Sequence, residues 1–185
     1  MRAALAPLLV AVALTGCSSG PHDAAAARPD VDGCAGSWLR PTTANQTQVR
    51  AATLCLINAQ RRRGGRVALA ENALLARAAE LHSLDMAKRK FFEHRSPDGV
   101  QPDARIVRQG YPPILVGENL AWGELAESSP ANVVALWMKS PGHRANVLET
   151  GYREIGIGLA FQAPEEQPEP RQAAIYTTTF GAGGR

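Results

Sequence analysis

The sequence predicts an α+β domain in which helices cover a small antiparallel sheet. Apolar residues recur at helical spacing through the first half of the chain, and strict alternation replaces that spacing in the last third. About 150 residues follow Cys34, a length that suits one domain with a single hydrophobic core.

Two long helices are predicted first. One follows a cap at Thr42 or Thr43 and ends at Gly64, and the next follows a cap at Asn72 and runs to about Lys90. The residues predicted to face the core are Val49, Ala52, Leu56 and Ile57 in the first helix, and Leu75, Ala79, His82 and Met86 in the second.

Three shorter helices follow, each introduced by proline or by a proline-containing turn. They are predicted from Pro102 to Gly110, from Ser129 to Met138 and from His143 to Leu148. The basic clusters at 61–63 and 88–90 fall at the ends of the two long helices, where cations complement the helix dipole. We interpret both clusters as solvated faces.

The last third has the period of β-strands. Apolar residues alternate with small ones at Ile155, Ile157, Leu159 and Phe161, and a second alternation runs through Ala174, Tyr176, Thr178 and Phe180. The pattern predicts two strands, the first with one buried face. The segment from Pro164 to Pro170 between them is acidic and proline-rich, which predicts a solvated hairpin loop.

The start of the chain predicts export. A positive Met1-Arg2 precedes an apolar run from Ala3 to Leu14, which is too short to cross a bilayer but has the length of a signal-peptide core. The next residues, up to Cys17, resemble a bacterial lipobox, which implies a signal peptide at 1–16 and a lipid on the cysteine sulfur that anchors the protein to a membrane. The alternative is an ordinary signal peptide cut near Ala24–Ala27.

Composition and cysteine count add two expectations. With Cys17 lipidated, Cys34 and Cys55 remain as an even pair in an oxidising compartment, which predicts one disulfide, with two free thiols as the alternative. The formal net charge of +3 is too small to indicate a nucleic-acid partner. Residues 17–44, rich in small and polar residues, are predicted to be a flexible tether, and residues 45–185 the folded domain.

Four histidines are candidates for chemistry. His22 falls in the tether, where a chance position is its default interpretation, and His82 falls on the apolar stripe of the second helix, where a hydrogen-bonded core histidine is expected. His94 and His143 each lie beside a turn, which is where a rigid scaffold usually presents functional groups.

Four blocks, in this order, resemble the bacterial branch of the CAP superfamily, which comprises cysteine-rich secretory proteins, antigen 5 and plant pathogenesis-related proteins. The blocks are FEHRSPDG at 92–99, GENLA at 117–121, WMKSPGHRANVL at 137–148 and GYREIGIG at 151–158. The resemblance covers roughly Val49 to Phe180. It implies an SCP-like extracellular domain that forms an α-β-α sandwich around a three-stranded antiparallel sheet, whose third strand we expect near Leu120-Ala121-Trp122.

The resemblance also implies a cleft. In some family members two histidines and two acids line it and bind zinc or another divalent ion. His94, Glu118 and His143 match three of these positions, but the fourth acid falls near Ser140, where this chain has no carboxylate. Two imidazoles and one carboxylate can form an open zinc site, or Glu118 can form an ion pair that organises the cleft. We therefore expect no required cofactor, with zinc as the candidate metal.

Two neighbours complete the candidate set. Ser96 is a conceivable hydrolase nucleophile, but no Gly-x-Ser-x-Gly motif is present, so a turn residue is the favoured interpretation. Asn119 can orient a ligand or cap a turn.

The leading functional hypothesis is an exported, lipid-anchored, monomeric cell-envelope protein that lacks an evident nucleophile and binds a lipid or another small molecule in its cleft. One alternative is a metal-dependent hydrolase, acting on proteins or the cell wall, that uses His94, Glu118 and His143. Another is a surface adhesion protein without cleft chemistry.

Overall fold

The computed structural model describes residues 28–125, 127–166 and 172–183. The predicted signal peptide, the lipid attachment site Cys17, His22 and part of the 164–170 loop lie outside these residues. Within them, no helix combines the length and apolarity needed to cross a bilayer.

The described residues form five α-helices and a four-stranded mixed sheet, which confirms the predicted α+β class. The helices are α1 (Gln46–Arg63), α2 (Ala73–Arg89), α3 (Pro102–Arg108), α4 (Pro130–Lys139) and α5 (Pro141–Leu148). The strands are β1 (Ala70–Glu71), β2 (Pro113–Glu124), β3 (Glu154–Ala160) and β4 (Ala173–Gly183). The order in the sheet is β1-β3-β4-β2.

Two predicted helix caps are confirmed, whereas α1 begins at Gln46, because a 3₁₀ turn at Thr43–Asn45 follows the predicted cap at Thr42. Asn72 accepts hydrogen bonds from the N–H groups of Leu74 and Leu75, and Ser129 caps α4. The last helix begins at Pro141 rather than at the predicted His143, because proline is accommodated in the first turn, where no helical partner exists for its missing N–H.

The sheet contains the three antiparallel strands that the resemblance implies, since β4 pairs with β3 on one side and with β2 on the other. The third strand was expected near Leu120, and β2 includes that residue. The sheet has one strand more than the three that the resemblance implies, because β1 pairs in parallel with β3. A strand of two residues has no measurable period, so the sequence could not reveal it.

One face of the sheet is covered by α2. The prediction that β3 buries a single face is wrong, because every residue from Ile155 to Ala160 is buried. Gly156 and Gly158 face α2, and a Cβ at either position would overlap the backbone of that helix. The small residues of the alternation thus mark a close helix–strand contact and not a solvent-facing side.

The opposite face is covered by α1, α4 and α5, which completes the α-β-α sandwich. The core on this side is centred on Trp137, whose indole is fully buried and packs edge-on against Tyr176 at 6.5 Å between ring centroids. The indole Nε1 donates to the carbonyl of Leu120 at 3.0 Å. The bond satisfies a carbonyl of β2, the edge strand of the sheet.

The predicted disulfide is present and joins Cys34 to Cys55. Cys55 lies in α1, so the bond attaches the segment that precedes the helix to the helical layer. Closing a loop of this length in the unfolded chain contributes about 3 kcal/mol to stability.

The segment before α1 is folded against the domain from Arg28 onward. The Arg28 guanidinium lies 3.6 Å from the ring centroid of Trp38, and Asp30 accepts a hydrogen bond from the Ser37 hydroxyl at 3.0 Å. The backbone N–H of Ala131 in α4 donates to the carbonyl of Ser37. Residues 28–44 are therefore not part of a flexible tether, as was predicted for 17–44, because these polar contacts hold a segment that has few apolar residues.

Arg61 corrects the interpretation of the basic cluster at 61–63. Its side chain is 0% exposed, and its guanidinium donates to the carbonyls of Val67 (2.8 Å), Val147 (2.8 Å), Glu149 (2.9 Å) and Tyr152 (3.4 Å). The residue joins α1 to the end of α5 and to the turn before β3, where helix carbonyls would otherwise lack donors.

Candidate functional site

The site forms around the edge strand β2. Alternate residues of a strand point to opposite faces, so Glu118 lies on the α2 side of the sheet and Asn119 on the α5 side. Both residues are buried. His94 lies in the connection between α2 and α3, and His143 in the first turn of α5.

Glu118 is the centre of a charge cluster. Glu118 is 7% exposed. Its two carboxylate oxygens accept hydrogen bonds from the same nitrogen, Arg105 Nη2, at 3.1 Å to Oε1 and 2.8 Å to Oε2. His94 Nδ1 lies 2.9 Å from Oε1, and His82 Nε2 lies 3.9 Å from the same oxygen. A buried carboxylate needs such partners to remain charged.

Arg105 and His82 were not among the predicted site residues. Arg105 also donates to the carbonyls of His94 (2.8 Å) and Val100 (3.1 Å), so it fixes the backbone that carries His94 as well as the carboxylate. His82 does make the core hydrogen bond expected of it, at 3.0 Å from Nε2 to the carbonyl of Glu93, but it also borders Glu118.

The cluster separates the pKa values of the three histidines. The hydrogen bond to Glu118 raises the pKa of His94, whose side chain is 52% exposed. Burial lowers the pKa of His82. Burial, and to a smaller extent the charge of His94, lowers the pKa of His143. The cleft therefore contains one histidine whose protonated form is stabilised by its surroundings and one whose neutral form is stabilised.

On the other side of β2, two asparagines dock α5. Asn119 Nδ2 donates to the carbonyl of His143 at 3.0 Å. Asn146 Nδ2 donates to Asn119 Oδ1 at 2.9 Å and to the carbonyl of Glu118 at 3.1 Å. Asn119 thus positions the helix start that carries His143. Asn146 covers the open edge of β2 beside Glu118.

Gly117 leaves the space in which the side chains of Tyr152 and Asn146 pack against β2. A Cβ at this position would overlap the hydroxyl of Tyr152 and would lie 3.1 Å from Asn146 Oδ1. The ring of Tyr152 is fixed by stacking on Phe180, with 5.4 Å between centroids. Position 117 therefore requires glycine, because any side chain there would overlap Tyr152.

Ser96 takes the turn role that the sequence favours. Its N–H donates to the carbonyl of Val100, and its carbonyl accepts from the N–H of Gly99. The side chain lines a cavity of about 380 Å³ between α2 and α3, together with His82 and Arg105. It lies outside the paired contacts of His94 and Glu118.

The predicted metal ligands do not form a metal site. Across residues 28–125, 127–166 and 172–183, no group of three or more His, Cys, Asp or Glu side chains is arranged to hold a metal ion. The reason lies in the donor set: Arg105 engages both oxygens of Glu118, and His94 presents its inner nitrogen to the same carboxylate. Ser140, where the family pattern has an acid, is the residue before α5. At Glu118 these residues fit a guanidinium in the place of a metal ion.

Comparison with known proteins identifies the family. The family model described as the cysteine-rich secretory protein family, CAP, matches residues 54–176. The Bacillus subtilis protein YkwD is 35% identical over 103 residues, which are 56% of this chain and 39% of that protein. The chain therefore spans about two fifths of the length of this relative.

Solved structures agree with the fold. An extracellular protein containing an SCP domain from Bacillus anthracis is 27% identical with a TM-score of 0.57, over 76% of this chain and 44% of that one. An outer surface protein of Borrelia burgdorferi has a TM-score of 0.60 at 20% identity, over 78% of this chain and 96% of that one, a likeness of fold alone. Because the family model matches well over half of the chain, the protein belongs to the cysteine-rich secretory protein (CAP) family.

Proposed function

We propose that this protein is an exported, lipid-anchored protein of the cell envelope that binds a lipid or another small molecule at His94 and His143. The observation that carries the proposal is the pairing of an exposed His94 with a buried Glu118 that Arg105 neutralises. Fixed donors of this kind gain affinity because little side-chain freedom is lost when a ligand binds.

The electrostatics favour a ligand with a hydrogen-bond acceptor. Glu118 and Arg105 compensate each other, and the raised pKa of His94 favours its protonated form, so the cluster tends towards a net positive charge. A carboxylate, phosphate or carbonyl oxygen would bind to His94 in this state. His143, whose lowered pKa favours the neutral form, adds one donor and one acceptor to the cleft.

Export is supported by the sequence and by a relative. The segment 1–16 has the pattern of a lipoprotein signal peptide, and the similar Bacillus anthracis protein is described as extracellular. Arg28 contacts Trp38 in the folded domain and lies eleven residues after Cys17, and an extended chain of that length spans at most about 40 Å. A lipid on Cys17 would therefore hold the cleft near the membrane surface.

The ligand is tested by extraction and mass spectrometry of the purified protein. We expect a small molecule to co-purify with the wild type and with Arg62→Ala, an exposed control, and to fall about tenfold in His94→Ala, the equivalent of about 1.4 kcal/mol. Equal amounts in all three proteins, or no molecule in any, would contradict the proposal.

The anchor is tested by fractionation of cells that produce the protein. We expect the wild type in the membrane fraction and Cys17→Ser in the soluble fraction. A Cys17→Ser protein that stays with membranes would contradict a lipid at this position.

A hydrolase remains the second candidate, on one observation. Groups whose environments push their pKa values apart suit acid and base roles, and His94 and His143 are such a pair. In this alternative His143 accepts a proton from water and His94 donates one to the leaving group. Peptidase or cell-wall hydrolase activity without added metal, lost in His94→Ala and in His143→Ala, would support it, and activity that survives both changes would exclude this site.

A further inference from the structure

The cation that faces the buried carboxylate of the cleft belongs to the protein itself. Three nitrogen atoms surround Glu118 Oε1: His94 Nδ1 at 2.9 Å, Arg105 Nη2 at 3.1 Å and His82 Nε2 at 3.9 Å. Two imidazoles and a carboxylate are ligands that a divalent transition metal accepts. The Arg105 guanidinium donates hydrogen bonds to both carboxylate oxygens.

The imidazole nitrogens nearest to Glu118 both carry protons, so neither offers a lone pair to a metal ion bound to this carboxylate. His94 Nδ1 donates to the carboxylate, so Nδ1 is protonated and only Nε2 of this ring has a lone pair. His82 Nε2 lies 3.0 Å from the carbonyl of Glu93, which can only accept a hydrogen bond, so Nε2 carries the proton. A metal ion would have to displace both protons and the guanidinium.

We infer that Arg105 takes the place of a divalent cation at Glu118. It compensates the buried carboxylate, orients that carboxylate towards His94, and holds the His94 backbone through a second set of bonds. It is thus a positioning residue that lets Glu118 organise the cleft without a metal ion bound to its carboxylate. Removing its charge would leave a buried carboxylate between two imidazoles, a latent site for zinc.

The inference does not depend on the proposed ligand, because it concerns what holds Glu118 and not what His94 binds. Ligand retention and zinc binding are separate measurements. A negative result for ligand retention does not affect the inference about Arg105, and a negative result for zinc binding does not affect the proposed ligand.

The test compares zinc binding by the wild type and three variants of the purified protein, using calorimetry. Arg105→Gln removes the charge, Arg105→Lys keeps it, and Arg108→Gln removes an exposed charge from the same helix. We expect zinc to bind with a stoichiometry near one only in Arg105→Gln. The double variant Arg105→Gln with Glu118→Gln should lose this binding.

Circular dichroism confirms that each variant is folded, and Arg105→Lys provides the rescue that a merely destabilising change would not show. Cobalt(II) offers a second readout, because its visible absorption reports bound nitrogen and oxygen ligands. Two results would overturn the inference. One is stoichiometric zinc binding by the wild type that His94→Ala abolishes, and the other is a folded Arg105→Gln that binds no zinc.

Discussion

Two arginines, Arg61 and Arg105, hold different parts of this molecule together. Arg61 is fully buried and donates only to backbone carbonyls. Arg105 is 10% exposed at its side chain and donates to a carboxylate that is shared with a histidine open to solvent. Arg61 thus supplies hydrogen-bond donors to carbonyls at the ends of helices and turns. Arg105 instead positions Glu118, which in turn holds the solvent-accessible side chain of His94.

The difference shows how to separate structural from functional charge in this fold. The acceptors of Arg61 are peptide dipoles that can neither titrate nor reach a ligand. The partners of Arg105 include Glu118 and the backbone of His94, so its effect reaches a side chain that is 52% exposed. Tyr152 lies between the two regions: its carbonyl accepts from Arg61, and its hydroxyl lies against Gly117.

The largest effect on stability is expected for Arg61→Met. The change leaves buried carbonyls without donors, each at a cost of about 1–3 kcal/mol, so we expect a loss of at least about 3 kcal/mol in the free energy of unfolding. Urea unfolding measures it, with the exposed Arg62→Met as control at less than about 0.5 kcal/mol. A small loss in Arg61→Met would mean that water satisfies these carbonyls.

Gly117→Ala acts where the two regions meet. The new methyl group overlaps the Tyr152 hydroxyl, and we expect a loss of about 1–3 kcal/mol from overpacking. Tyr152→Phe in the same chain should recover part of it, because the hydroxyl is the nearest atom. Gly142→Ala is the matched control, since nothing lies within 4 Å of a Cβ there and alanine favours the helix. Equal thermal stability of the two alanine variants would contradict the packing argument.

Asn146→Ala removes the bonds that cover β2 beside Glu118. It leaves the carbonyl of Glu118 without this donor, and we expect a loss of about 1–2 kcal/mol in chemical unfolding. Asn132→Ala removes a comparable bond at an exposed position and should cost less than about 0.5 kcal/mol. A larger loss in Asn132→Ala would be contrary to this ranking.

Much of the fold was predictable because its signals are local. Asn72 and Ser129 cap the helices that they were predicted to cap, and Cys34 pairs with Cys55 as the count indicated. The four sequence blocks placed His94 and Glu118 in one cleft, and the two side chains do share a hydrogen bond.

What the sequence did not predict depends on contacts between distant segments. Arg105 reaches Glu118 only because the turn at Ser96–Gly99 brings α3 back against β2. Arg61 is indistinguishable in sequence from its exposed neighbours, and its burial is decided by the end of α5, some 86 residues later in the chain. Neither position carries a periodic or capping signal of its own.

The pKa values of His94 and His143 have opposite consequences for stability. A raised pKa makes His94 stabilising below its unfolded value near 6.5, and that stability is lost as the pH rises through the folded pKa. A lowered pKa makes His143 destabilising as the pH falls below the same unfolded value. Because the two contributions partly cancel, bulk unfolding cannot separate them, whereas NMR can follow each ring.

An NMR titration of the imidazole C–H signals in the wild type and in Glu118→Gln tests most directly whether Glu118 organises the cleft. In the wild type we expect His94 to titrate above about 6.5 and His143 below it. In Glu118→Gln the pKa of His94 should fall towards or below that value, because the charged acceptor is gone and burial remains. Similar pKa values for the two histidines in the wild type, or an unchanged His94 in Glu118→Gln, would contradict the organising role of Glu118.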